Sequence, residues 1–200
     1  MSDEKDVVCE LCESFIDPND SFPTPLSPDI VYGVFPIPII QIAASFGAVD
    51  CVEALIQMGA SVDIVDGEGN LPIHAAAYSG SVLCVQHLVR NGADINATDV
   101  KGRNVIHIAA RMDHLYLLKY LREQRVQYFA DSAGETPLHI ATRYGSLDSI
   151  DYFWQNHVNP NPLDENSKTP LHLALLNSDY EAFEKLMLFQ NVEVNIQDSD

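Results

Sequence analysis

Gly134-Glu135-Thr136-Pro137-Leu138-His139-Ile140-Ala141, followed by Gly145, reads as one short helix with both ends specified. Thr136 is a good N-cap. Pro137 suits the first helical position because no helix bond needs its missing N–H, and Gly145 can take the left-handed cap. The same stretch recurs: His74, His107, His139 and His172 stand 33, 32 and 33 residues apart, and Gln41 lies a further 33 residues upstream. Self-similarity at this period is the mark of a repeat array, in which each unit buries its apolar face against its neighbours.

Counted from the histidine or Gln41, each unit has a small apolar pair at the same place: Ala43-Ala44, Ala76-Ala77, Ala109-Ala110, Ala141-Thr142 and Ala174-Leu175. Small side chains there let helices approach closely. Fourteen residues past the reference stands Leu55, Leu88, Leu121, Phe153 or Leu186. Around it, Val49/Val52, Val82/Val85, Leu115/Leu118, Leu147/Ile150 and Tyr180/Phe183 complete an apolar face at helical spacing. Each unit is therefore expected to be two short antiparallel helices. The turns Asp66-Gly67-Glu68-Gly69, Asp99-Val100-Lys101-Gly102, Asp131-Ser132-Ala133-Gly134 and Asp164-Glu165-Asn166-Ser167 should form hairpin fingers between units. Cys51 and Cys84, 33 residues apart, share one core position.

On these residues the chain resembles the ankyrin-repeat family. Thr136-Pro137-Leu138-His139 and Thr169-Pro170-Leu171-His172 carry the family motif complete, while Leu71-Pro72-Ile73-His74 and Asn104-Val105-Ile106-His107 carry it degraded. Gly92-Ala93-Asp94-Ile95-Asn96 matches the family's second-helix ending. The resemblance covers residues 34–200, in units of about 34–66, 67–99, 100–131, 132–164 and 165–198. It implies an all-α solenoid of stacked antiparallel helix pairs with β-hairpin fingers, and a binding module without catalysis. Residues 1–33 divide into an N-terminal capping helix over 2–16, with the apolar stripe Val8, Leu11, Cys12, Phe15 and Ile16, and an extended Pro-rich arm. Asn195-Ile196-Gln197-Asp198 begins another finger, so continuation into a larger protein is expected, and with it an alternative role as the regulatory or targeting part of an enzyme or channel.

Some units depart from the pattern. Asp113 and Ser178 stand where the first glycine belongs, and Arg125, His157 and Gln190 replace the second, so these left-handed caps should carry a Cβ penalty. The third unit is one residue short. Arg122 replaces the apolar residue found as Ile56, Val89, Trp154 and Met187 elsewhere, its stem packing while its head reaches water. The third unit is accordingly expected to open first.

A formal charge of -18, from 11 basic and 29 acidic residues, opposes binding to nucleic acid or anionic membranes. No segment has the roughly 18 consecutive apolar residues of a membrane span, and the acidic stretch Met1-Ser2-Asp3-Glu4 lacks the basic and apolar regions expected of a signal peptide. A monomeric protein of the cytoplasm or nucleus is expected, with a protein partner. No cofactor, metal or catalytic residue is assigned. Cys9 and Cys12 have no second ligand pair at zinc spacing, and the repeat histidines are expected to bond the threonine hydroxyl and nearby backbone.

Partners of the resembled family lie on the fingers and inner helices. Transferred to this chain, that face carries Phe46, Tyr78, Met112 and Tyr144 as apolar contacts, with Lys101, Arg103, Arg111, Arg143 and Lys168 as charge. A basic groove in an acidic body would select an acidic or phosphorylated peptide. Asn96 matches the pattern on which ankyrin-repeat proteins are hydroxylated at asparagine, against a simple turn role. Thr24-Pro25 and Ser27-Pro28 are proline-directed phosphorylation motifs.

Overall fold

The computed structural model describes residues 31, 32 and 37–199. The capping helix, the Cys9/Cys12 pair and the Thr24 and Ser27 motifs expected from the sequence lie outside the described residues. The chain divides into two compact units, one ending at Val100 and the other beginning at Lys101. In the first, β1 (Val31–Tyr32) pairs antiparallel with β2 (Ile37–Pro38), and α1 (Ile39–Ser45), α2 (Val49–Gln57), α3 (Pro72–Ser79) and α4 (Val82–Arg90) follow. Here α1 packs on α3 and α2 on α4. The second unit contains α5 (Val105–Arg111), α6 (Leu115–Glu123), α7 (Pro137–Tyr144), α8 (Leu147–Gln155), α9 (Pro170–Leu176) and α10 (Tyr180–Leu186). Its inner helix α7 packs against α5 and α9, and α8 against α6 and α10.

Helices of seven to nine residues would not hold alone in water, so packing makes them. Ala43, Ala44, Ala76, Ala77, Ala109, Ala110 and Ala141 are buried, as are Leu55, Leu88, Leu121, Phe153 and Leu186. Cys51 and Cys84 are free thiols in this core. Leu175 differs from expectation. It is 53% exposed, because α9 packs on α7 and α10 and neither covers that side.

Aspartate builds the fingers. Oδ1 of Asp131 accepts from the N–H groups of Ala133 (2.9 Å) and Glu135 (3.0 Å), while the Asp131 N–H donates to the Glu135 carbonyl at 2.9 Å. Asp66 and Asp164 close their turns in the same way. The fingers are thus hairpin turns held by one carboxylate, without strands in this stretch of the described residues. In the second unit they bond to one another: Ser132 N–H to the Lys101 carbonyl, Glu165 N–H to Ala133, Ser199 N–H to Asn166. A Cβ on Gly134, at φ +74°, would lie 2.9 Å from the Glu165 nitrogen, so this ladder requires glycine there.

The histidines bind helix to finger. Nδ1 of His139 accepts from the Thr136 N–H at 3.1 Å, which leaves the ring proton on Nε2, and Nε2 donates to the Lys168 carbonyl of the next finger at 3.0 Å. His107 does the same between Asn104 and the Glu135 carbonyl, and His74 between Leu71 and Ala97. Gln41 explains why a histidine is absent from the first repeat. The residue three before it is Pro38, which has no N–H to satisfy, so the amide spends both hydrogens on the carbonyls of Ile64 (2.9 Å) and Asn70 (2.7 Å).

One departure is left-handed as expected but is compensated, and another differs from expectation. Asp113 is left-handed at φ 58°, yet its carboxylate accepts from the N–H and Oγ of Ser149, both at 2.7 Å, and from the Asp148 N–H at 3.3 Å. It caps the start of α8, an acid at the positive end of a helix. In the fifth repeat the left-handed residue is Asn191 (φ 63°) and not Gln190, and asparagine tolerates that region. Arg125 (φ 57°), His157 (φ 53°) and Ser178 (φ 56°) do carry the Cβ in the left-handed region.

Restoring the family glycine with Asp113→Gly should therefore destabilise the protein by about 1 kcal/mol in urea denaturation. The charge-assisted bonds lost are worth roughly 1.5–3 kcal/mol and the strain relieved roughly 1. A gain in stability would show that the cap contributes nothing net. Burial lowers the pKa of His139 below its ordinary 6.5, as a ring that must accept at Nδ1 requires. Between the lowered value and 6.5 the unfolded chain binds more protons, so this stability is complete above 6.5 and is lost as pH falls through it. An NMR titration of the His139 ring should show a midpoint under 6.5, and a midpoint above it would reverse the sign.

Candidate functional site

The expected binding residues fall in both units. In the first, Phe46 follows the last turn of α1 and Tyr78 lies in the last turn of α3; they are 39% and 51% exposed. Both present apolar surface to solvent, and Tyr78 also interacts with another residue.

In the second unit, Arg111 ends α5 and Tyr144 ends α7, placing the guanidinium carbon 4.5 Å from the centre of the Tyr144 ring. Such a pair lies within cation–π range and keeps the exposed phenol flat beneath the charge. Side chains of the following turns fix both helix ends: Ser146 Oγ donates to the Arg111 carbonyl at 3.0 Å, and Asn177 Nδ2 to the Arg143 carbonyl at 3.1 Å. Met112 is half-buried after α5. On the fingers Lys101 is exposed and Arg103 half-buried, and each already interacts with other residues.

The structure thus brings Arg111 and Tyr144 together, and it engages the other charges internally. Arg143 forms an ion pair with Glu135, and Lys168 lies 3.8 Å from Asp198. Sequence spacing hides the first pair, because the partners are eight residues apart and meet only where the finger turns into α7. On the outer helices Lys185 pairs with Asp151 at 2.5 Å, a bond that raises the lysine pKa, and Lys119 lies 5.7 Å from the Tyr116 ring centre. Arg122 and Arg125 are exposed and form no ion pair among the described residues.

Other titrating groups belong to the scaffold. The Tyr128 hydroxyl is enclosed against the start of α7 and accepts from the Leu138 N–H at 3.2 Å; burial pushes its pKa up to about 12. Burial also raises the Tyr152 phenol, which donates to the Leu118 carbonyl, and the Cys84 thiol. Asn96 is half-buried in an Asx turn, its N–H donating to Asp94 Oδ1 at 2.8 Å. Among the described residues no three His, Cys, Asp or Glu side chains gather to hold a metal ion, and no helix is long and apolar enough to cross a membrane.

Comparison with known proteins agrees with the repeat fold. The family described as Ankyrin repeats (3 copies) matches residues 40–131 and again 106–198. Rabankyrin-5 of Homo sapiens is 29% identical over 163 residues, covering 78% of this chain and 14% of that protein. Transient receptor potential cation channel subfamily A member 1 of Homo sapiens is 31% identical over 67 residues, 34% of this chain and 6% of the channel. A probable serine/threonine-protein kinase of Dictyostelium discoideum is 36% identical over 74 residues, 35% of this chain and 9% of the kinase. The chain therefore spans only a small part of the length of these relatives. With helix pairs, finger turns and family match in register over residues 40–198, the chain belongs to the ankyrin-repeat family, an all-α repeat fold that acts as a protein-interaction module.

Proposed function

We propose that this protein is a non-catalytic scaffold or adaptor that binds a partner protein on its fingers and inner-helix ends. In the second unit the surface comprises Lys101, Arg103, Arg111, Met112, Arg143, Tyr144 and Lys168; in the first, Phe46 and Tyr78 add apolar contacts. The observation that carries this reading is the Arg111–Tyr144 pair, an exposed aromatic ring under a guanidinium with no role in the core. Aromatic and arginine side chains are favoured interface anchors. Because Arg143 and Lys168 already face carboxylates, an acidic or phosphorylated peptide would first meet Arg111, then compete with Glu135 and Asp198 for the others. The free core thiols accord with a reducing cytoplasmic or nuclear setting.

A second reading makes these repeats the regulatory or targeting part of a larger enzyme or channel. It is favoured by the relatives named as a cation channel member and a probable kinase, of which the chain matches 6% and 9%. A transcript whose reading frame runs on into a catalytic or membrane domain would select it.

Affinity capture from cell lysate, comparing the native chain with an Arg111→Ala/Tyr144→Ala variant, tests the surface directly. Truncating an anchor pair should weaken capture of the principal partner at least tenfold, corresponding to about 1.4 kcal/mol or more, while circular dichroism and melting stay unchanged. Equal capture by both folded proteins would reject this face.

A further inference from the structure

We propose that the second unit carries a separate socket between α6 and α8 for one aromatic or branched aliphatic side chain of a protein partner, flanked in that partner's sequence by Asp or Glu. The socket shares no residue with the surface proposed above. Its cavity is about 250 Å³, walled by Leu118, Val126, Tyr152 and Phe153, with Arg122 and Arg125 at the rim. The volume falls below the roughly 300–1,000 Å³ typical of small-molecule sites and suits a single large side chain.

In the fourth repeat the position of Arg122 is held by Trp154, whose indole N–H donates to the Leu188 carbonyl at 2.8 Å. Arg122 makes no such bridge, and Arg125, left-handed at φ 57°, lies beside the gap. The wall itself is rigid. Tyr152 donates its hydroxyl to the Leu118 carbonyl, and Phe153 meets the Tyr128 and Tyr152 rings edge-on at 5.7 and 5.8 Å.

Charge selects the occupant. In a chain of net charge -18, Lys185, Arg143 and Lys168 have carboxylate partners, whereas the two arginines at this rim have none among the described residues. A bare apolar residue would leave them unused, and a basic peptide would be repelled. Carboxylates on both sides of an apolar anchor give each guanidinium a bidentate partner while the anchor is desolvated.

The test uses the full chain and the peptide acetyl-Asp-Glu-Phe-Asp-Glu-amide, followed by amide NMR. Saturable shifts at Leu118, Val126 and Tyr152 are expected. They should be at least tenfold weaker in affinity when phenylalanine is replaced by alanine, and absent when the acids are replaced by lysine. The variant Arg122→Met/Arg125→Gly should also lose at least tenfold in affinity. It places at each position a residue the other repeats already use there, so its melting temperature should be equal or higher, which separates lost binding from lost folding. No saturable shift, shifts that survive the double variant, or binding of phenylacetate as tight as the peptide would each overturn the proposal. Concentration-dependent dimerisation abolished by the double variant would assign the socket to a second copy of the chain, and overturn it equally.

Discussion

An imidazole that accepts at one nitrogen and donates at the other holds this fold to its period. In His139 the accepting nitrogen satisfies the N-cap residue of its own helix, and the donating nitrogen holds a carbonyl 29 residues ahead. Buried backbone groups at a helix start and at a finger are thereby paired by one side chain. Because the reach of the ring is fixed, the next finger must arrive at a set distance, and the close finger ladder at Gly134 follows from it. Gln41 shows the same constraint from the other side. Where Pro38 removes the N–H, the accepting function disappears and an amide with two donated hydrogens serves instead.

Residues that break the repeat pattern are tolerated where they do something locally useful. Asp113 exchanges backbone comfort for a charged acceptor at the start of α8. The rest of the third repeat has a buried core, since Leu117, Leu118 and Leu121 are closed from solvent. At its far end Arg122 and Arg125 replace an apolar residue and a glycine beside a small cavity.

The architecture was legible because a 33-residue period places like residues at like positions, and burial of Leu55, Leu88, Leu121, Phe153 and Leu186 depends on that register alone. The structural role of the histidines was legible for the same reason. Contacts between positions that are not equivalent were not. Arg143 finds Glu135 only because a finger folds back on its helix, and Arg111 meets Tyr144 by a diagonal between successive repeats. Asn191 assumes the left-handed conformation assigned to Gln190: it stands five residues past the end of α10, whereas the corresponding residue stands two past the end of the other outer helices, a matter of backbone path that periodicity does not encode.

Trp154 is the single tryptophan of the chain, and its indole is bonded to the Leu188 carbonyl at the junction of the last two helix pairs. Intrinsic indole emission is therefore a local gauge of that junction and is blind to the first unit. Fluorescence and far-ultraviolet dichroism would follow one transition only if the array unfolds as a whole. In a repeat protein, where each element is held chiefly by its immediate neighbours, any gap between the two signals would measure how far cooperativity extends along the stack.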